Sequence, residues 1–212
     1  MLFCLLEKGI IMDLFLQEQK YIDISTPSIQ AKAAELFSGL GDNIQKAKVA
    51  YEFVRDEIPH TFDIHSDIIT AKASDVLQYK TGICHAKCNL LAALLRSQGI
   101  PVGFCYQHLT LADDDSMGYV VHCYNAIYLG GCWIKVDARG NKPGAHAQFS
   151  LDEPVLAFLC RPEYDEYFWP GIYATPHEAT MQILDRAKSL QDVLDTIPDM
   201  ITENADIMEE AF

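Results

Sequence analysis

Apolar residues recur every three or four positions in the first part of the chain, a spacing typical of amphipathic helices. This spacing predicts one helix over residues 28–40 and a second from Asp42 to the residue before Pro59. Asp42 and Gln45 are spaced like a variant capping box, and proline cannot continue a helix. A short helix is also predicted over residues 74–79.

The most apolar helix is predicted to follow the segment Thr81-Gly-Ile-Cys84. From Cys84 onward, apolar side chains occupy two stripes of the helix, which indicates that it is nearly buried. Gly99 provides a left-handed cap, and Pro101 prevents the helix from continuing.

A β-hairpin is predicted beyond this helix, after a first strand over residues 102–111. Two β-rich runs are separated by Gly130-Gly131, a strong signal for a two-residue turn. Pairing Leu129 with Cys132 places four side chains on one face of the hairpin: His122, Tyr124, Asp137 and Arg139. His122 and Asp137 are then diagonal neighbours about 7–8 Å apart at the backbone, a distance that their side chains can close.

The remaining segments complete an α+β pattern in a single domain, residues 1–212. The aromatic-rich residues 148–175 predict another strand with long connections, and residues 177–195 predict a helix. The order of helices, then sheet, then helix differs from alternating βαβ units. Residues 1–11 lack a basic leader and a small-residue cleavage site, so we interpret them as an over-extended reading frame or a disordered start.

Charge excludes several classes of partner. Sixteen basic and thirty acidic side chains give a formal net charge of −14, which disfavours binding to nucleic acid or anionic lipid. No apolar run reaches the roughly 18 residues of a membrane span. Acidic residues without Lys or Arg dominate the C-terminal end, and we interpret residues 196–212 as a solvated acidic tail. Residues 113–115 are interpreted as a solvated acidic loop rather than a calcium site.

Seven cysteines form an odd set in a chain without an export signal. This composition favours reduced thiols and a cytoplasmic location. The chain has no pair of C-x-x-C units, and Cys84, His85 and Cys88 alone cannot complete a tetrahedral zinc site. We therefore predict no metal and no organic cofactor, with a zinc protein kept as a minor alternative.

Cys84 is a candidate nucleophile because it opens a buried helix. A helix N-terminus carries partial positive charge and unpaired N–H groups, which stabilise a thiolate. The Cys84 N–H can also donate to the oxyanion that forms during acyl transfer, and Gly82 is expected to leave space for the substrate. His122 could transfer the proton, and Asp137 could fix the tautomer of the His122 ring.

These residues resemble the transglutaminase-like superfamily of papain-fold cysteine enzymes. The resemblance covers residues 45–140 and rests on Thr81-Gly-Ile-Cys84, a Leu-rich helix, Gly99-Ile-Pro, Val121-His122 and Trp133-Ile-Lys-Val-Asp137. It implies an α+β, papain/transglutaminase-like core with N-terminal helices, in which a central Cys-bearing helix packs on an antiparallel sheet. It also implies thiol acyl-transfer chemistry. It leaves the reaction open, because relatives include peptidases, amidases, cross-linking enzymes and inactive scaffolds.

Three further residues are candidates for the oxyanion hole or the pocket. Gln78 lies six positions before Cys84, the spacing at which papain-like enzymes carry an oxyanion-hole glutamine, although an exposed amide is the simpler interpretation. Tyr124 and Arg139 share the predicted face of His122, with core packing and a structural ion pair as their respective alternatives. His85 points about 100° away from Cys84 around the helix, so we do not assign it as the base.

The sequence therefore predicts a cysteine enzyme that hydrolyses a peptide, protein or small amide through a thioester. With 212 residues, the chain is expected to lack the extra domains of large cross-linking enzymes, which favours hydrolysis. The alternatives are an amine-accepting acyltransferase and an inactive binding domain that uses the aromatic residues 158–173 for docking. The sequence leaves the oligomeric state open.

Overall fold

The computed structural model describes residues 11–111 and 118–207. The predicted acidic loop at residues 113–115, residues 1–10 of the predicted start and the last five residues of the acidic tail lie outside the described residues. Its α-helices include α1 (Pro27–Leu36), α2 (Asn43–Glu57), α3 (Ala73–Tyr79), α4 (Cys84–Arg96), α5 (Glu178–Arg186) and α6 (Leu190–Thr196). Its strands are β1 (Val102–Thr110), β2 (Tyr119–Leu129), β3 (Cys132–Val136) and β4 (Tyr167–Phe168). The fold is α+β, as the sequence predicts.

The strands form one antiparallel sheet in the order β3-β2-β1-β4. Gly130 and Gly131 both have positive φ, at 59° and 95°, as a tight hairpin turn requires. Leu129 pairs with Cys132, which confirms the predicted register. The ladder ends at Val136, so the predicted pairing of His122 with Arg139 does not form, and the chain leaves the sheet just before Asp137.

Helix α4 is the centre of the domain, and every one of its side chains is buried. It packs against β1 and β2 on one side and against α1, α2 and α3 on the other. Its leucines are fully buried, and each contributes about 1.5–3 kcal/mol through burial. Gly99, at φ 71°, ends the helix as predicted. Because the helix is packed on all sides, the position of its first residue, Cys84, is set by the core.

The helix boundaries follow local chemistry. The Asp42 side chain caps α2 by accepting from the Gln45 N–H at 3.1 Å. The single helix predicted over residues 177–195 is wrong, because α5 and α6 are separate. Ala187 is extended, and the Ser189 hydroxyl accepts from a backbone N–H 3.2 Å away to cap the start of α6. This break turns α6 into an independent element that can face the sheet.

The described part of the acidic tail packs on the domain rather than extending into solvent. Ile207 pairs with Ile172, and the Asp206 carboxylate accepts from the Ala174 N–H at 2.7 Å. As far as residue 207 the tail is therefore tethered to the domain by backbone pairing, while the side chains of Asp199 and Asp206 remain exposed to solvent. Among the helices of the described residues, none combines the length and the apolar character needed to cross a membrane.

Candidate active site

Cys84, His122 and Asp137 meet at one end of α4. The Nε2–H of His122 donates to Oδ2 of Asp137 at 2.8 Å, and the His122 ring and the Cys84 thiol line the same cavity and interact electrostatically. Because Nε2 is engaged by the carboxylate, Nδ1 is the ring nitrogen left to exchange a proton with the sulfur. The three residues come from a helix start, a strand and the segment after β3, and they converge because α4 packs across β2.

Electrostatics favour an ion pair between Cys84 and His122. Burial alone would raise the pKa of the Cys84 thiol, but the positive charge and hydrogen bond of His122 outweigh it, so this pKa is lowered. Burial alone would lower the pKa of His122, but Asp137 and Cys84 outweigh it and raise this pKa to about 10. Both shifts favour a thiolate on Cys84 beside an imidazolium on His122.

Asp137 is fully buried and held on three sides. Its Oδ1 accepts from the Arg139 N–H at 3.0 Å, and its Oδ2 accepts from the Ala157 N–H at 3.1 Å as well as from His122. Burial would raise the pKa of Asp137, but the His122 charge and these hydrogen bonds lower it. The Phe158 ring packs edge-on against His122 with 5.2 Å between centroids. Asp137 and Phe158 together fix the orientation of the imidazole.

A second imidazole, His60, lies directly beside Cys84. The Cys84 N–H donates to Nε2 of His60 at 3.0 Å. Sequence reasoning missed this residue, because residues 60–73 show no periodicity and nothing local links His60 to a helix that starts 24 positions later. The only available signal was a histidine immediately after the proline that ends α2.

Buried Lys87 ties the surrounding segments together. It lies on α4 one turn after Cys84, and its Nζ donates to the carbonyl oxygens of Ile58 and, at 2.8 Å, of Arg139. Burial lowers the pKa of Lys87 to about 7. Lys87 thus anchors both the chain that leads to His60 and the chain that leaves Asp137.

The structure revises several predictions made around this centre. Gln78 is exposed at the end of α3 and does not line the cavity beside Cys84, so the oxyanion role predicted for it is wrong. Tyr124 does not line that cavity either and packs in a separate buried cluster with Phe15. Arg139 does line the cavity, and its guanidinium is paired with both carboxylate oxygens of Asp63, at 2.7 and 2.9 Å.

Gly82 is tightly packed rather than open to a substrate. A Cβ on this residue would lie 3.2 Å from Oγ1 of Thr70 and 3.3 Å from the Cβ of Ala86. The small size of Gly82 therefore serves the close approach of the chain to α4 rather than access to the thiol.

Two other polar groups on α4 have structural partners. The His85 ring bonds the Val121 carbonyl oxygen at 2.9 Å, and burial lowers the pKa of His85 to about 3. The Cys88 thiol donates to the Cys123 carbonyl at 3.4 Å. Neither lines the cavity beside Cys84. In the part of the chain that the structure describes, no group of His, Cys, Asp and Glu side chains could hold a metal ion.

Comparison with known proteins identifies the family. The model of the transglutaminase-like superfamily matches residues 30–138, about half of the chain. The chain belongs to the transglutaminase-like superfamily. The segment matched by the superfamily contains Cys84, His122, Asp137 and also His60.

A solved structure from Cytophaga hutchinsonii, named as a candidate cysteine protease, is 19% identical with a TM-score of 0.48. The match covers 59% of this chain and 40% of that one, so the chain spans well under half of its length. No curated protein matches the chain.

The transglutaminase-like core supplies the floor of a cavity, and the later segments supply its walls. A cavity of about 520 Å³ opens over Cys84, His122 and His60. Its apolar lining is Phe62, Ile83, Leu109, Leu111, Val120, Val121, Phe158, Leu159, Leu190, Leu194 and Ile197. The last three belong to α6 and to the residue after it, which lie beyond the segment that the superfamily model matches. The Pro198 carbonyl accepts from the Val121 N–H at 3.1 Å and so ties the end of α6 to β2.

Proposed function

We propose that the chain is a cysteine-dependent acyl-transfer enzyme that hydrolyses a peptide or amide bond. In this proposal Cys84 is the nucleophile, His122 is the acid and base, and Asp137 orients the imidazole. The observation that carries the proposal is that Cys84 and His122 line one cavity while the His122 ring is hydrogen-bonded to the buried Asp137 carboxylate. Membership of the superfamily supports the general class of a cysteine enzyme.

The proposed reaction proceeds in two halves. The Cys84 thiolate attacks the carbonyl carbon, a C–S bond forms and the carbonyl π electrons move to oxygen. The oxyanion then collapses, the C–N bond breaks, and His122 gives its proton to the leaving amine. In the second half His122 takes a proton from water, whose oxygen attacks the thioester. Loss of the sulfur releases a carboxylic acid and restores the pair.

Alkylation of Cys84 tests the thiolate that the proposal requires. Because the pKa of Cys84 is lowered, we expect the rate of iodoacetamide alkylation to have its inflection below about pH 8.5, the pKa of a free thiol. Mass spectrometry of the labelled peptide between pH 4 and 10 measures this, with the exposed Cys132 as internal reference. Turnover should also fall above pH 10, where His122 loses its proton. An inflection for Cys84 at or above pH 8.5 would count against the proposal.

The composition of the cavity favours a substrate with a large apolar group next to the scissile carbonyl. Leu190, Leu194 and Ile197 form an apolar wall close to the cationic residues Arg139 and Lys142, but both cations are already paired with Asp63. Asp63 offsets one of these two positive charges, and most of the residues that line the cavity are apolar, so we expect apolar burial to supply most of the binding free energy.

Leu194→Arg tests this assignment of the wall. A guanidinium in the wall is expected to lower kcat/KM at least about 10-fold for amides with leucine- or phenylalanine-like side chains, because it removes apolar contact area. A panel of fluorogenic amides measures the effect. Leu151→Arg is the matched control, since Leu151 is exposed and does not line the cavity. An equal loss of kcat/KM in both variants, or no loss in Leu194→Arg, would show that α6 does not contact the substrate.

Two alternatives are separated by direct measurements. One alternative is an inactive domain that docks a partner through the exposed side chains of Leu159, Tyr167 and Phe168. In such a domain Cys84 would react slowly with an alkylating agent. An amine-accepting transferase would share the thioester. The ratio of the hydrolysis product to the product formed with an added amine, such as hydroxylamine, distinguishes transfer from hydrolysis.

A further inference from the structure

The N–H group that an oxyanion would need is already engaged. Cys84 is the first residue of α4, where backbone N–H groups have no partner within the helix. Its N–H donates to Nε2 of His60 at 3.0 Å, and the His60 ring lines the cavity over the sulfur. A substrate carbonyl that is attacked by this sulfur must therefore approach the same N–H that the imidazole now occupies.

Backbone pairing holds His60 in this place. His60 bridges to Gly82 in parallel pairing, and the Thr61 N–H donates to the Gly82 carbonyl at 3.2 Å. The Thr61 and Thr81 hydroxyls also lie 3.1 Å apart in hydrogen-bonding contact. The segment before Cys84 thus carries His60 alongside the nucleophile, independently of His122 and Asp137.

The protonation state of His60 follows from its contacts. Because Nε2 accepts a hydrogen bond, the ring proton of the neutral imidazole is on Nδ1. Nδ1 is buried and has no hydrogen-bond partner among the described residues. Burial and the nearby cations Arg139 and Lys87 hold the pKa of His60 well below its ordinary value, so the ring is neutral. A neutral imidazole can serve as an acceptor in one tautomer and as a donor in the other.

We propose that His60 is a further catalytic residue: its Nε2 accepts from the Cys84 N–H in this structure, and the same nitrogen, once protonated, donates to the substrate oxyanion beside that N–H. The proposal rests on the proposed acyl-transfer function. The change of tautomer needs no net proton. Nδ1 releases one proton and Nε2 takes one from water in the cavity. His60 also lines a second, polar cavity of about 320 Å³ with Asp56 and Asp63, and a small rotation of the ring would bring Nδ1 from its buried position to water there.

In this arrangement His60 takes the oxyanion-binding role that the sequence predicted for Gln78. Two donors, a backbone N–H and a side-chain N–H, would converge on the developing negative charge within a largely apolar cavity, where such hydrogen bonds are strongest. In the resting enzyme the same imidazole satisfies a buried N–H that would otherwise lack a partner.

Comparison of turnover with alkylation tests this role. Alkylation of Cys84 by iodoacetamide develops no oxyanion, whereas amide turnover does. His60→Ala is therefore expected to lower kcat for the amide panel about 100-fold or more, with the alkylation rate of Cys84 changed less than about 2-fold. His60→Gln, which restores a side-chain N–H donor, should recover at least about 10-fold of this loss. His146→Ala, an exposed histidine outside the cavity, is the matched control and should resemble wild type.

A second measurement covers the possibility that His60→Ala fails to fold. A peptide aldehyde adds to the thiol and forms a tetrahedral adduct, so its inhibition constant should rise in His60→Phe and fall back towards wild type in His60→Gln. Turnover within about 3-fold of wild type in His60→Ala, or a parallel loss of alkylation, would overturn the role of His60 and leave the acyl-transfer proposal standing. A wild type without amide turnover would overturn both.

Discussion

Replacing Cys84 with alanine is expected to reduce amide turnover by about a million-fold, to background, because Cys84 is the only cysteine among the described residues that line the cavity. Cys88→Ala is the matched control on the same helix. The Cys88 thiol is buried and donates to the Cys123 carbonyl, so its loss should cost only about 1 kcal/mol of stability and leave turnover near wild type. Hydrolysis of the fluorogenic amide panel and labelling with an activity-based thiol probe measure both variants.

The probe also identifies the reactive position. Six free cysteines lie in the described residues, and of these only Cys84 lines the cavity. The modification is therefore expected on the peptide that contains Cys84. Turnover that survives in Cys84→Ala, or probe modification concentrated on another cysteine, would contradict the assignment of the nucleophile.

Replacing His122 with alanine is expected to lower kcat about 10⁴-fold while the fold remains intact, because proton transfer to the leaving amine is lost. Asp137→Ala should retain some activity, since the imidazole is still present but loses the carboxylate that orients it and raises its pKa. Single-turnover kinetics with the most reactive amide measure the two losses. Circular dichroism and Tm report whether each variant is folded.

The two variants should also differ in stability. Asp137 accepts from the backbone N–H groups of Arg139 and Ala157, so Asp137→Ala leaves two buried donors unpaired, at about 1–3 kcal/mol each. His122→Ala keeps both of these N–H groups paired but leaves the buried Asp137 carboxylate without its charged partner, so its loss of stability is expected to come from that carboxylate. If Cys84→Ala, His122→Ala and Asp137→Ala all kept wild-type activity, the enzyme proposal would fail and a transglutaminase-like binding domain would remain.

Local features of the sequence predicted most of the core. The Gly130-Gly131 turn specifies the hairpin register, because a one-residue slip would move every side chain to the other face of the sheet. Apolar periodicity identified α4, and Gly99 identified its end. Proximity of Cys84, His122 and Asp137 followed from these elements together with the resemblance to the superfamily. Each of these signals lies within a few residues of the feature it specifies.

The spacing between two residues along the chain did not predict their structure or role where the local backbone conformation differed from a regular helix. Gln78 stands at a familiar distance from Cys84, yet α3 ends in a left-handed turn at Lys80 and leaves Gln78 in solvent. The break between α5 and α6 was also missed, because the apolar residues continue at helical spacing through a segment whose backbone is extended at Ala187. In both cases a backbone conformation outweighed a sequence spacing.

By itself the sequence determined the fold class, the helix that begins with Cys84 and the strand that bears His122, because hydrophobic periodicity and turn chemistry act locally. Only the tertiary structure decided that His60 bonds the Cys84 N–H, that the Ala157 N–H supports Asp137, and that α6 walls the cavity. These contacts join irregular segments that are distant along the chain. Their positions depend on how the segments pack around α4 and on which buried polar groups need hydrogen-bond partners. Neither requirement produces a periodic pattern in the sequence, so the sequence alone did not predict these contacts.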